Sequence, residues 1–313
     1  MRRLCSLFLA LMVLAFVAPH LQARTTEMDE SLVRQAEQAP KRGFYWEARK
    51  GEKKIYLAGT VHVGREDFFP PNIEYLRRIS EAEAIVVEAD VSDAARVGAV
   101  VQKMAVYRPG EPGLDTRIGE ALKNRIVALA KRFQLEPDRL WRTKPWMVAN
   151  TLVIVQATAG GFSPAYATES FLMQYARGTG KPLLEVESID LQLSIFERAD
   201  QETQIAYLEQ AVRGIESGDA EREVRKIVEA WDRRDAQAAE RLIGDIHKAK
   251  NKGERFVADQ LFDGRHARMV EAIEKYTDSG TLHFVAVGAL HYFGPRGLLA
   301  ILRSRGYTIT QIE

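Results

Sequence analysis

The chain is predicted to fold as an α/β protein, a central mixed β-sheet flanked by helices with a large helical insertion in the middle of the chain. Three observations carry this. Short apolar runs at 55–58, 84–87, 182–186 and 282–287 have the length of buried strands. All but 182–186 lie toward the two ends of the chain, and the sequence between, 114–251, otherwise reads as helices, charge-rich, alanine-rich and amphipathic from 189. Two runs also close on the same pattern: Gly59-Thr60-Val61-His62-Val63-Gly64 and Gly288-Ala289-Leu290-His291-Tyr292-Phe293-Gly294. If those matching turns serve one site, the ends of the chain meet in one sheet.

Residues 1–23 read as a secretory signal. Arg2 and Arg3 precede an apolar run from Leu4 to Ala18, Pro19 breaks it, and Ala23 is a small residue at a cleavage position. The run is shorter than the roughly 20 residues of a membrane span, so no span is expected after cleavage. Export to a periplasm follows. Residues 24–42 are polar and read as a tether or short helix, and 43–313 as one domain.

Within that domain, 44–48 and 54–58 flank Lys50-Gly51-Glu52 as a hairpin. Pro70-Pro71 opens a helix carrying Ile73, Leu76 and Ile79. The strand at 84–87 ends at Glu88-Ala89-Asp90, and 94–107 is helical. From 114 to 180, helices are broken at Pro137, Pro145, Gly160-Gly161 and Pro164. The strand at 182–186 ends at Glu187-Ser188, and several helices occupy 189–251. A helix at 259–276, the strand at 282–287, a helix at 297–305 capped by Gly306, and a last strand at 307–312 complete the chain.

The whole sequence holds 44 Lys+Arg and 43 Asp+Glu; removing Arg2 and Arg3 with the signal leaves 42 against 43, about −1. That balance gives no footprint for nucleic acid or a charged membrane surface. The one cysteine, Cys5, lies in the signal, which excludes disulfides, cysteine hydrolases and Cys-ligated zinc from the mature chain. No Gly-x-Ser-x-Gly elbow and no His-Glu-x-x-His motif is present.

Chemistry therefore concentrates at strand ends, where α/β sheets bind ligands. His62 and His291 follow the two Gly-x-x-His turns, whose glycines are Gly59, Gly64, Gly288 and Gly294. Glu88 and Glu187 each close an apolar strand, where an unpartnered buried charge is expensive. Two imidazoles and one or two carboxylates suit Zn, Mn, Co or Fe. Such a metal activates water, with a remaining glutamate as general base. The plainer alternative is ion pairing, for instance Glu88 with Arg265. His247 is expected to be solvated, and His283 to pack or to face solvent.

These residues resemble those of the TraB/GumN family, which includes the TIKI-type metalloproteases and is distantly similar to ChaN-like and erythromycin esterase-like proteins. The resemblance runs from Phe44 to the C-terminus. It rests on Gly59-Thr60-Val61-His62, on Val87-Glu88, on Gly180-Lys181-Pro182, on Glu187-Ser188 with Gln192, on residues 261–269, and on the closing block from 284 to 307. It implies a divalent-metal site at His62, His291, Glu88 and Glu187, with Arg265 orienting a carboxylate or stabilising an oxyanion. Gln192 would support the site from behind, and His266 would either do the same or add a ligand. The family's Arg-Asn pair reads Arg265-His266 here, and its acid after the Gly-Gly segment aligns with Glu169. Peptide-bond hydrolysis is implied for the TIKI branch, so the expected partner is a peptide or small-molecule substrate; the alternative is a non-catalytic periplasmic binder of haem, metal or a peptide signal.

Overall fold

The structure is a computed structural model that describes residues 30–313. The expected signal at 1–23 and the first residues of the tether lie outside the described residues; the rest of the tether includes a helix, Glu30–Gln38. Among the described residues no helix is long and apolar enough to cross a membrane.

Six strands form one sheet: β1 (Phe44–Lys50), β2 (Lys53–Thr60), β3 (Ala84–Val87), β4 (Leu183–Glu185), β5 (His283–Gly288) and β6 (Thr308–Gln311), in the order β4-β3-β5-β2-β1-β6. Strands β4, β3, β5 and β2 run parallel, while β1 is antiparallel to both β2 and β6. The expected hairpin is present, turning through Gly51 at φ +60°, a left-handed conformation that glycine adopts without steric cost. Strand β5 slots between β3 and β2, with Leu57 opposite Val285 and Val86 opposite Val285. That insertion closes the ends of the chain upon one another.

Period-two alternation divides the sheet between two cores. Phe44, Trp46, Leu57, Val285 and Val287 pack on one face with Phe262, Met269 and Tyr292. Tyr45, Tyr56, Ala58, Phe284 and Ala286 pack on the other with Tyr75, Ile79 and Leu172. Four consecutive buried residues in β3 and six in β5 fit strands covered on both sides. The helical insertion has a third core of its own, from Val97 to Leu261, centred on the stacked rings of Trp146 and Phe196 at 5.0 Å.

The strand spans match the sequence expectations to within a residue or two. The helix expected at 259–276 differs: a π-helical stretch, Val257–Asp263, precedes an α-helix at Gly264–Asp278. Such wide turns cluster at functional sites and re-aim the side chains that follow. Here the side chain that follows is Arg265.

Candidate active site

The carboxyl ends of β2, β3, β4 and β5 lie side by side, and each leads within a few residues to a candidate group. His62 follows β2, Glu88 follows β3, Glu187 follows β4, and His291 lies in a 3-10 turn, Ala289–Tyr292, after β5. All four are buried, with exposures of 9%, 2%, 3% and 2%.

Gly288 stands where three of them, His62, Glu88 and His291, approach one another. A β-carbon there would lie 3.3 Å from Glu88 Oε2, 3.3 Å from His291 Cδ2 and 3.4 Å from His62 Nε2. The backbone at 288 has an ordinary negative φ, so glycine serves close approach here and not a left-handed turn. Gly59 is alike: it is a strand residue whose β-carbon would meet the Ala289 backbone at 2.9 Å. Of the four glycines assigned to turns, only Gly294 has a positive φ, +84°.

Arg265 joins the acids. Its Nε donates to Glu187 Oε2 at 2.9 Å, its Nη2 reaches both Glu88 and Glu187, and Nη1 donates to the Leu261 carbonyl at 3.4 Å. The ion pair considered from sequence, Glu88 with Arg265, is thus present, and it includes Glu187. Gln192 Nε2 donates to Glu88 Oε1 at 3.0 Å and to Glu187 Oε2 at 3.4 Å. Its helix, Ile189–Arg198, is capped by Ser188, whose Oγ accepts from Leu191 N at 3.1 Å. Gly288 N donates to Glu88 Oε2 at 2.9 Å. Burial works to raise the Glu88 pKa, but Arg265 and the two histidines outweigh it and hold the carboxyl well below its usual range. Glu187 Oε1 is buried with no partner.

His62 Nδ1 lies 2.8 Å from Glu169 Oε1, and Thr60 Oγ1 donates to the same oxygen. Thr168 pins that acid in place: Val61 N donates to Thr168 Oγ1 at 2.8 Å, and Thr168 N donates to the Val61 carbonyl at 3.0 Å. Burial would lower the His62 pKa; Glu169 outweighs it and the net shift is upward. His291 differs. Burial first, then Arg265, hold it well below the ordinary histidine value. Its ring stacks on Phe262 at 4.6 Å, and its Nδ1 lies 3.0 Å from His266 Nε2.

Among the described residues, no three His, Cys, Asp or Glu side chains stand together as a ready-made metal cluster. The donor chemistry around Gly288 nonetheless suits a cation. Two buried carboxylates, Glu88 and Glu187, share one buried guanidinium, and a third, Glu169, backs His62. A histidine backed by a carboxylate, as His62 is by Glu169, is the usual support of a metal-bound imidazole. Glu187 Oε1 supplies a spare buried acceptor.

A small cavity of about 30 Å³ adjoins both histidines, lined also by Val61, Ile227, Ile246, Val257, Phe262 and Leu290. That is room for one or two waters.

Thr60 was quoted in the sequence only as part of its motif, and Glu169 only through family resemblance. Local signals for them are weak: a threonine beside a strand-end glycine and an acid in a helix's first turn. His247 is not freely solvated as expected: its Nε2 lies 3.2 Å from Asp263, an acid that also pairs with Arg296 at 2.8 Å. His283 packs, with its ring 4.9 Å from Tyr276 and its Nδ1 2.8 Å from the Thr281 carbonyl.

Comparison with known proteins agrees with the resemblance. The chain is similar to YbaP of Escherichia coli (strain K12), 28% identical over 147 residues, or 47% of this chain and 53% of YbaP. A Shigella flexneri YbaP matches to the same extent. These alignments span about half the length of either relative. A Treponema pallidum (strain Nichols) protein is 21% identical over 273 residues, 85% of this chain and 81% of its own. No solved structure matches significantly. The profile of the TraB/PrgY/gumN family matches residues 44–311, which takes in every strand and every site residue described above, and the chain belongs to that family.

Proposed function

We propose that the protein is an exported metal-dependent hydrolase acting on peptides or small peptide-like substrates. The observation that carries this reading is the cradle at Gly288, where Glu88 Oε2 and the His62 and His291 rings converge. In this reading His62, His291 and Glu88 hold a divalent cation of the Zn, Mn, Co or Fe class. The bound cation would polarise a carbonyl and lower the pKa of a water.

The chain's own groups supply the rest. Glu169 orients His62 through Nδ1. Arg265 and Gln192 hold both strand-end glutamates in fixed rotamers, so Arg265 acts on the enzyme's carboxylates. Glu187 keeps Oε1 without a partner, and in this reading Glu187 is the general base. The apolar cavity wall limits bulk water at the site.

The cavity's size favours a second reading, a non-catalytic holder of a metal or small ligand. A space of about 30 Å³ holds a water or two beside the histidines and is too small for a peptide chain.

The test is metal binding by the purified chain, followed by digestion of a peptide library. Saturable zinc, manganese or cobalt binding that is lost in His62→Ala and His291→Ala, with metal-dependent cleavage, is the expected result. No bound or acquired divalent ion removes the mechanism. Binding without turnover selects the second reading.

A further inference from the structure

His266 stands where the family's pattern carries asparagine, and its ring is 2% exposed, between two fixed partners. Its Nδ1 lies 2.7 Å from the Arg296 carbonyl oxygen, and its Nε2 lies 3.0 Å from His291 Nδ1. A carbonyl can only accept, so the proton of neutral His266 sits on Nδ1 and its Nε2 can only accept. His291 Nδ1 must therefore donate.

We infer that His266 is a positioning residue that fixes His291 as its Nδ1–H tautomer, leaving the His291 Nε2 lone pair free for a ligand. Hydrogen bonding at one ring nitrogen decides what the other can do. The chain of partners is anchored at its outer end. Arg296 is tied to Asp263 at 2.8 Å, and Asp263 also meets His247 at 3.2 Å, which holds the loop bearing the Arg296 carbonyl. At its inner end Phe262 stacks on the His291 ring with an interplanar angle of 13°, which limits rotation. The two Gly-x-x-His turns thereby reach the same end by different means: a carboxylate holds the Nδ1 proton of His62, and a second imidazole holds that of His291.

The inference rests on the proposed metal reading only for what the free Nε2 would bind. Its test is long-range ¹⁵N NMR of imidazole rings in the full chain, with His291→Ala to assign the signals. Wild type and His266→Gln, which keeps an acceptor near the Nε2 position, are expected to show His291 protonated on Nδ1. His266→Phe, which keeps a ring and removes the acceptor, is expected to lose that signature. Zinc affinity measured in parallel should fall about 10–100-fold in His266→Phe and recover in His266→Gln. A wild-type His291 protonated on Nε2 overturns the inference, and so does an unchanged tautomer in His266→Phe. If His266→Phe does not fold, wild type and His266→Gln decide. If no variant binds zinc while the tautomer still follows the acceptor, the metal reading falls and the positioning role stands.

Discussion

The two Gly-x-x-His turns share a sequence pattern and differ in almost everything that surrounds them. The first leaves β2 through an irregular bend pinned by Gly64 to Ser163 and by Val61 to Thr168. Its histidine faces a carboxylate, and its pKa rises. The second leaves β5 through a 3-10 turn packed under Trp46, with Tyr292 at 4.7 Å. Its histidine faces a neutral imidazole and a phenyl ring, and its pKa falls. One motif therefore presents two imidazoles with opposite proton affinities to one cradle. A spacing pattern specifies where a side chain is delivered; the partners that arrive from elsewhere specify its electrostatics.

The largest test of this contrast is Arg265, the buried cation close to both turns and a cause of the low His291 pKa. Arg265→Leu strands Glu88 and Glu187 without their partner and should cost about 3–5 kcal/mol in urea or thermal unfolding. In folded variant protein the His291 pKa should move toward that of His62.

A smaller effect separates the closing glycines. A β-carbon at Gly64 would lie 2.1 Å from the Tyr166 backbone carbonyl, whereas one at Gly294 meets a side-chain methyl, Cγ2 of Ile243, at 2.7 Å. Gly64→Ala should cost roughly 3 kcal/mol. Gly294→Ala, where φ is +84°, should cost about 1–2 kcal/mol from backbone strain. Equal unfolding midpoints would show that the first turn is not held more tightly.

The smallest expected effect is in pH dependence. His62, with a raised pKa, contributes stability that is full below its unfolded value of about 6.5 and fades as pH rises through the folded value. His291, with a lowered pKa, contributes the reverse: stability present above 6.5 and lost as pH falls toward its folded value. Urea midpoints across pH 5 to 8 should thus respond with opposite slopes to His62→Ala and His291→Ala. Parallel profiles would erase the distinction between the turns.

Much of the fold was legible because it depends on local sequence. Strands such as 84–87 are short apolar runs bounded by polar residues, and a strand's burial on two faces shows as continuity. Helix breaks coincide with Pro137, Pro145 and Gly160, since proline lacks a donor and glycine tolerates a cap. The π-helical stretch before Arg265 was not legible, because it reflects packing against two cores and not any residue's preference. The site was half legible. Strand-end position marked His62, Glu88, Glu187 and His291, while Thr60 and Gln192 offered no local sign of their hydrogen bonds.

The sequence by itself determined an α/β sheet with a helical insertion, two strand-end histidines, two strand-end glutamates, and the absence of an elbow serine and of any cysteine after Cys5. These follow from periodicity and from which residue types are present. Tertiary structure alone decided which partners each group has. Glu169 reaches Thr60 across 109 positions and Arg265 reaches Glu88 across 177. No local pattern encodes such pairs: Glu169 arrives because Thr168 pairs with Val61, and Arg265 because β5 enters the sheet between β2 and β3 and brings the helix before it against their ends.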